Sequence, residues 1–294
     1  MLAGVKQTGT RGERVRGWRR LAVAIWPEPN DPQMFGDIEV DAGSALAFIE
    51  RERDRTGVHV TILHVAGKAL AHALSEHPEL NVLPHGNRLT PRGRVDVAFI
   101  VGLDEGETNA GVRVRDADRK AVADIARELQ SRAASLRTRA DPSVERFARL
   151  VDHVPLWLLR LGLRAGVWLT VDRGLDLGLP GLEPGGFGSA LITSVGGMGI
   201  DHGYPMLTPF GRVPIAVMLG RVTRRPVADG DEVVIRPMLT LSAVLDHRFL
   251  DGSHAGRLVT SIRAYLADPE AFEPSADADY APASAAMNPS RRTS

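Results

Sequence analysis

Residues 241 to 256, LSAVLDHRFLDGSHAG, carry a strand-like apolar run straight into two histidines, two aspartates and the glycine Gly252. Imidazole is the side chain that ionises nearest neutrality, so such a cluster can hold a base, a metal or a helix cap. In the first reading Asp251 caps a helix after an ordinary strand-to-helix turn. In the second, His247, Asp251 and His254 ligate a metal; they share one face at i, i+4 and i+7 if the stretch is helical throughout. Gly252 interrupts that helix and no HExxH pattern is present, so no metal is expected. In the third, His247 is a general base with an acid beside it. The other histidines of the N-terminal half, His59, His64, His72, His77 and His85, fall within or beside an amphipathic helix and are expected to be structural or superficial.

The remaining chemistry narrows the choice. The chain has no cysteine, which removes disulfides, thiolate nucleophiles and cysteine-based metal sites. Ser194 lies in TSVGG without the preceding glycine of a G-x-S-x-G elbow. No G-x-x-x-x-G-K-[ST] loop occurs, and GGFGSAL fails G-x-G-x-x-G because Leu191 occupies the last position. What is left is a histidine base and a hydroxyl pair, Thr193 and Ser194, ending another strand-like run. Those parts suit the deprotonation of a substrate thiol and stabilisation of the oxyanion formed when that thiol attacks a thioester.

The elements that must position these groups alternate along the chain. DIEV ends a strand, with Asp41 as cap candidate for the helix that follows. VTILHVAGKALAHALSEHPELN places Leu63, Ala66, Leu70, Ala73 and Leu74 on one helical face, ending before Pro78. RVDVAFIVGL and AGVRVRDADRK are predicted as neighbouring strands, and AVADIARELQSRAASLRTRA as a helix with Ile125 and Leu129 inward. The Gly/Pro/Leu-rich GLDLGLPGLEPGGFG reads as an irregular connection. Residues 213 to 249 read as two strands whose turn is DGDE, and a helix follows Gly252 and ends near Pro269. Mixed strands and helices without a central linker predict a single catalytic domain over residues 19–272, with a flexible basic segment at 1–18 and a disordered tail at 273–294. The segment at about 150–182 stands apart as an apolar insertion. Its helix from Val154 to Leu169 is expected to bury against its own domain; a partner contact, a membrane-surface contact or a lid are the alternatives.

Lysine plus arginine and aspartate plus glutamate stand at 36 each, so no net field draws the chain to nucleic acid. Arg160 and Arg164 interrupt the most apolar stretch short of a transmembrane span, and Pro27 stops the run after the N-terminal arginines too early for a signal sequence. The chain is read as cytoplasmic.

With these residues in hand, DHRFLDG resembles the D-H-R-x-x-D-G motif of the acyltransferase core of 2-oxo acid dehydrogenase complexes, relatives of chloramphenicol acetyltransferase. KALAHALSEHPELN is similar to that family's K-A-x-A-x-A-L-x-x-x-P-x-x-N helix, and GSALITSVGGMG to its G-T-F-T-I-S-N-L-G-x-x-G. The resemblance runs from Arg19 to Phe272 and breaks around 150 to 182. It implies a chloramphenicol acetyltransferase-like α/β fold, with helices packed on a mixed sheet. It implies that His247 takes the proton from the thiol of coenzyme A or dihydrolipoamide, that Asp251 sits in an ion pair that shapes the site, and that Gly252 turns the chain. Thr193 falls on the oxyanion-stabilising hydroxyl; a one-residue slip puts Ser194 there.

It further implies a homotrimer, with larger cages as an extension, in which the histidine of one subunit faces the hydroxyl of the next. Coenzyme A or acyl-coenzyme A is then a substrate, and a separate lipoyl-bearing or dehydrogenase protein a partner. No lipoyl motif is found in the sequence, so no lipoyl attachment is expected on this chain. The sequence departs from the family at Thr193–Ser194, where S-N is usual, and at LTPFGRVP, residues 207 to 214, in place of N-P-P-Q. The competing reading from another class is a non-catalytic scaffold that keeps the trimeric fold.

Overall fold

Strand β9 (Glu232–Asp246) organises the protein. The computed structural model describes residues 32–85, 88–102, 109–138, 155–177, 184–207 and 211–274, so the N-terminal segment 1–18 and the tail beyond 274 lie outside the described residues. Among the described residues a seven-stranded sheet has the order β1-β9-β7-β6-β4-β5, with β8 also paired to β9. These are β1 (Gln33–Asp41), β4 (Val97–Gly102), β5 (Asn109–Val114), β6 (Ala190–Ser194), β7 (Ile215–Leu219) and β8 (Thr223–Asp229). β6 runs parallel to both β4 and β7, whereas β9 is antiparallel to β1, β7 and β8. The mixed sheet with helices expected from the sequence is thus the one observed.

Period-two alternation gives the sheet its two faces. Ile192, Ile215, Val217, Leu219, Leu241 and Leu245 turn to the main core, while Leu191, Val213 and Ala216 form a smaller apolar cluster with Phe187 and Leu207 on the other side. Helices α1 (Gly43–Thr56), α2 (Ile62–Glu76), α3 (Val122–Thr138) and α5 (Gly252–Ala267) belong to the main-core side. In α2 the buried Ala66, Leu70, Ala73 and Leu74 form the expected face. At its start His64 Nδ1 accepts from the Thr61 amide at 3.0 Å. Burial keeps that ring neutral, pushing its pKa down to about 4. Lys68 is buried as well, and its ammonium donates to the Asp118 carbonyl.

Several expectations change. The helix after β1 begins at Gly43 with Ala42 as N-cap; Asp41 closes β1 and accepts from the Gly43 amide at 2.8 Å. Residues 213 to 249 hold three strands, because TRRPVAD forms β8, a charged edge paired to β9 through the turn at Gly230. A small hairpin, β2 (Val82–His85) with β3 (Arg88–Pro91), carries prolines that mask it in sequence. The structured chain runs past 272: the half-buried Glu273 carboxylate accepts from the Val122 amide at 3.0 Å and the Tyr265 hydroxyl at 2.9 Å.

The apolar insertion also departs from expectation. Helix α4 (Leu156–Val167) continues into a π-helical turn, Trp168–Asp172. Among its described side chains Gly166, Val167, Thr170 and Val171 are buried, while Leu158, Leu161 and Trp168 are 44%, 57% and 44% exposed. Its anchor is polar: Arg212 Nη2 reaches Asp172 Oδ2 at 2.8 Å, and Asp172 is almost fully enclosed. From Pro184 the connection that follows is a shaped loop. Gly185, Gly186 and Gly188 have φ of 80, 63 and 95°, the left-handed region that favours glycine. Arg113 Nη1 donates to the Pro184 and Gly186 carbonyls at 2.7 and 2.8 Å, and Arg92 Nη1 to Gly185 at 3.0 Å. Desolvation pushes the Arg92 guanidinium down to about 10.

Gly67 marks the closest approach of α2 to the sheet, since a Cβ there would stand 2.3 Å from two ring carbons of the fully buried Phe99. Alanine ordinarily gains up to about 1 kcal/mol over glycine within a helix. Here overpacking, typically about 1–3 kcal/mol, wins, so Gly67→Ala lowers the urea midpoint; an unchanged or raised midpoint would show that Phe99 has room to move.

Candidate active site

The β9 ladder ends at Asp246, whose amide bonds to Pro214 O at 3.0 Å. The chain then wraps around the Asp246 side chain. Its carboxylate, buried with the residue at 7% exposure, accepts from the Arg248 amide at 3.1 Å and from the Arg248 guanidinium at 2.9 and 2.6 Å. The Phe249 and Leu250 amides both return to Asp246 O at 3.0 Å. His247 is held on this tight turn, exposed, with Nδ1 at 2.8 Å from Leu250 O. A carbonyl only accepts, so Nδ1 carries the hydrogen and the neutral ring keeps its lone pair on Nε2. That is the tautomer a general base needs. Sequence reasoning missed the Asp246–Arg248 clamp; its signal is the opposite charges flanking the histidine at the end of an apolar strand.

Asp251 is the N-cap of α5: Oδ1 accepts from the Ser253 amide at 2.9 Å, the Ser253 hydroxyl at 2.7 Å and the His254 amide at 3.2 Å. Gly252 is the first residue of that helix. The ion-pair partner next to Asp251 is His254, whose Nδ1 lies 2.9 Å from Oδ1 and 3.1 Å from the Asp251 amide. One nitrogen cannot do both at once: a bare Nδ1 accepts from the amide, whereas an Nδ1 that carries hydrogen donates to the carboxylate. The Ser253 hydroxyl first, then the His254 amide, pull the Asp251 carboxyl down to about 2. Because His247 and Asp251 precede the helix, the continuous i, i+4, i+7 arrangement of the metal alternative does not form. Among the described residues no group of three or more His, Asp or Glu is placed to hold a metal ion.

Thr193 and Ser194 end β6, level with Met218 and Leu219 of β7. Alternation turns Thr193 to the same side as Leu191 and Ser194 to the side of Ile192. Across the sheet Thr193, Met218, Ser242 and Asp37 form one row, and the Tyr204 hydroxyl donates to Asp37 at 2.6 Å. The loop beyond is pinned by contact between backbones: a Cβ at Gly220 would lie 1.6 Å from Asp201 O.

The predicted histidine and the predicted hydroxyls do not meet within one chain. Ser194 is aligned with Leu219, whereas His247 lies beyond Leu245, which is aligned with Ile215. Four positions along β7 and two more past Leu245 separate them, roughly 20 Å at about 3.3 Å per residue. An apolar cavity of about 260 Å³ lies between the sheet and α5, lined by residues such as Leu241, Leu245, Ala255 and Gly256.

Residues 30–142 and 185–273 match the family described as 2-oxoacid dehydrogenases acyltransferase (catalytic domain). The chain belongs to that family. The gap in the match covers the insertion. The dihydrolipoyllysine-residue acetyltransferase component of the acetoin cleaving system of Bacillus subtilis is 24% identical over 265 residues, 88% of this chain and 56% of the relative. The succinyltransferase component of the 2-oxoglutarate dehydrogenase complex of Bartonella vinsonii subsp. berkhoffii is 28% identical over 239 residues, 79% of this chain and 47% of the relative. The chain thus spans about half the length of these curated relatives. The fold is that of a probable dihydrolipoamide acetyltransferase from Listeria monocytogenes, with a TM-score of 0.60 at 21% identity over 92% of this chain and 99% of that one.

The cap makes a pH-resolved expectation. A carboxyl held near 2 in the folded chain against 3.8 in the unfolded one stabilises above pH 3.8, and the gain is lost as pH falls through about 2. Asp251→Ala therefore melts lower than the parent at neutral pH, and the two melting curves converge below about pH 2. Asp251→Asn, which also caps well, restores most of the difference at neutral pH; a melting temperature as low as that of the alanine variant would show that the charge, not the cap, carries the effect.

Proposed function

We propose that this chain is an acyltransferase that moves an acyl group between coenzyme A and the thiol of dihydrolipoamide or a similar small acceptor. His247 Nε2 takes the thiol proton as the sulfur attacks the thioester carbonyl. The hydroxyl of Thr193 or Ser194 donates to the oxyanion. Collapse of the tetrahedral species breaks the bond to the departing thiolate, which takes the proton back from His247. Acyl-coenzyme A is thus a substrate, and no metal enters the scheme. Relatives named for acetyl and for succinyl transfer leave the acyl group open.

The observation that carries this reading is the separation of base and hydroxyl at opposite ends of the same strands. A histidine presented as a base roughly 17 to 20 Å from its oxyanion donor, at about 3.3 Å per residue, is useful only if a second copy supplies the other half. Such a contact is heterologous, one patch against a different patch, and closes into a ring when the rotation fits. A homotrimer, extended to a cage where rings associate, meets that demand, with a separate lipoyl-bearing or dehydrogenase protein as partner.

His247→Ala lowers kcat by about 10² or more at unchanged oligomeric mass. Of Thr193→Ala and Ser194→Ala, the one that removes the donor costs on the order of 10². Co-refolding the His247 variant with the inactive hydroxyl variant regains part of the activity, because mixed rings contain some intact sites. Wild-type turnover in His247→Ala ends the catalytic assignment in favour of a scaffold. A mixture as inactive as its parts ends the shared site.

A further inference from the structure

The insertion between the two matched stretches is amphipathic in the wrong direction for a helix of a water-exposed domain. Gly166, Val167, Thr170 and Val171 are buried, while Leu158, Leu161, Ala165 and Trp168 are exposed. Their spacing of three, four and three places them in one stripe. Leu175 and Leu177, at 49% and 41% exposure, extend the apolar surface past the helical turns. Covering this surface removes apolar area from water, so it selects a partner.

Charge narrows the choice. From Val154 to Leu177 the sequence holds Arg160, Arg164 and Arg173 against Asp172 and the exposed Asp176. Asp172, the first acid, is enclosed against Arg212. Arg164 is exposed, and the Arg173 guanidinium lies 4.7 Å from the centre of the Trp168 ring. The stripe has the spacing of a helix-pairing seam, but pairing with a second copy brings arginines to arginines. A partner helix would meet α4 alone, whereas a lipid interface also takes up Leu175 and Leu177. At 12 residues α4 is about 18 Å long, too short to cross a bilayer core of about 30 Å. No described helix is long and apolar enough to cross a membrane. The remaining geometry is a helix lying in the interface, with apolar side chains down and arginines at the headgroups.

We propose that α4 and its π-helical continuation dock the protein on an anionic lipid surface. Docking does not depend on acyl transfer. The Asp172–Arg212 pair fixes the helix to the body, and Arg212 lies just before β7, at the end of the sheet that carries His247. The surface that meets lipid is therefore tied to the His247 end of the sheet.

Sedimentation of the full chain with vesicles tests this. The protein pellets with phosphatidylcholine vesicles containing phosphatidylglycerol and stays in solution with phosphatidylcholine alone. Arg164→Gln, which leaves the apolar stripe intact, weakens the binding about five-fold. Leu158→Glu/Leu161→Glu abolishes it, with melting temperature, oligomeric mass and acyl transfer unchanged. Failure of the wild type to pellet with anionic vesicles overturns the proposal, as does equal binding by the double variant. A fall in oligomeric mass in the double variant assigns the stripe to contact between copies, and likewise overturns it.

Discussion

The hydrogen-bond ladder of β9 is the constraint on which the rest depends. Its first half is paired with β8, its second half with β7, and β1 covers the other edge of that second half. A strand shared by three neighbours has little freedom to slip, because a one-residue shift would turn Leu241 and Leu245 out of the core and Ser242 and Asp246 into it. The register therefore fixes where the ladder stops, and the stop fixes His247. Asp246 is the last paired residue, and its buried carboxylate gathers the turn through Arg248. The catalytic geometry proposed for the imidazole is the tail of a sheet constraint.

The same logic separates the hydroxyls from the histidine. β6 and β7 are parallel and β9 runs against them, so two residues that each follow an apolar run emerge at opposite ends. A single chain cannot close that distance by rotating side chains. The neighbouring copy that the proposed mechanism calls for follows from strand direction rather than from any particular contact. Polar anchoring then shapes the irregular parts: Arg92 and Arg113 hold the carbonyls of residues 184 to 186, and Arg212 holds the insertion through Asp172.

Legibility followed the locality of the signal. Helix α2 was readable because Ala66, Leu70, Ala73 and Leu74 repeat at helical spacing on one face. The cap at Asp251 was readable because capping involves only the next three residues. Strand β8 was hidden: Arg224, Arg225 and Pro226 do not look like a strand, and its place depends on β9 lying alongside. The exposure of Leu158, Leu161 and Trp168 reverses the sequence expectation, since an apolar helix in isolation does not say which side meets its own domain.

The sequence by itself determined the chemistry available: a histidine between opposite charges, an aspartate cap, a hydroxyl pair after an apolar run, no thiol, and the motifs that tie them to one family. Those are properties of neighbouring residues, and neighbours are what a sequence records. Only the tertiary structure decided that His247 has its Nδ1 on Leu250 O, that Thr193 and Ser194 face opposite sides of the sheet, and that both stand far from that imidazole. Each depends on pairing or turn geometry that no residue type encodes, because backbone hydrogen bonds join whichever strands the core brings together.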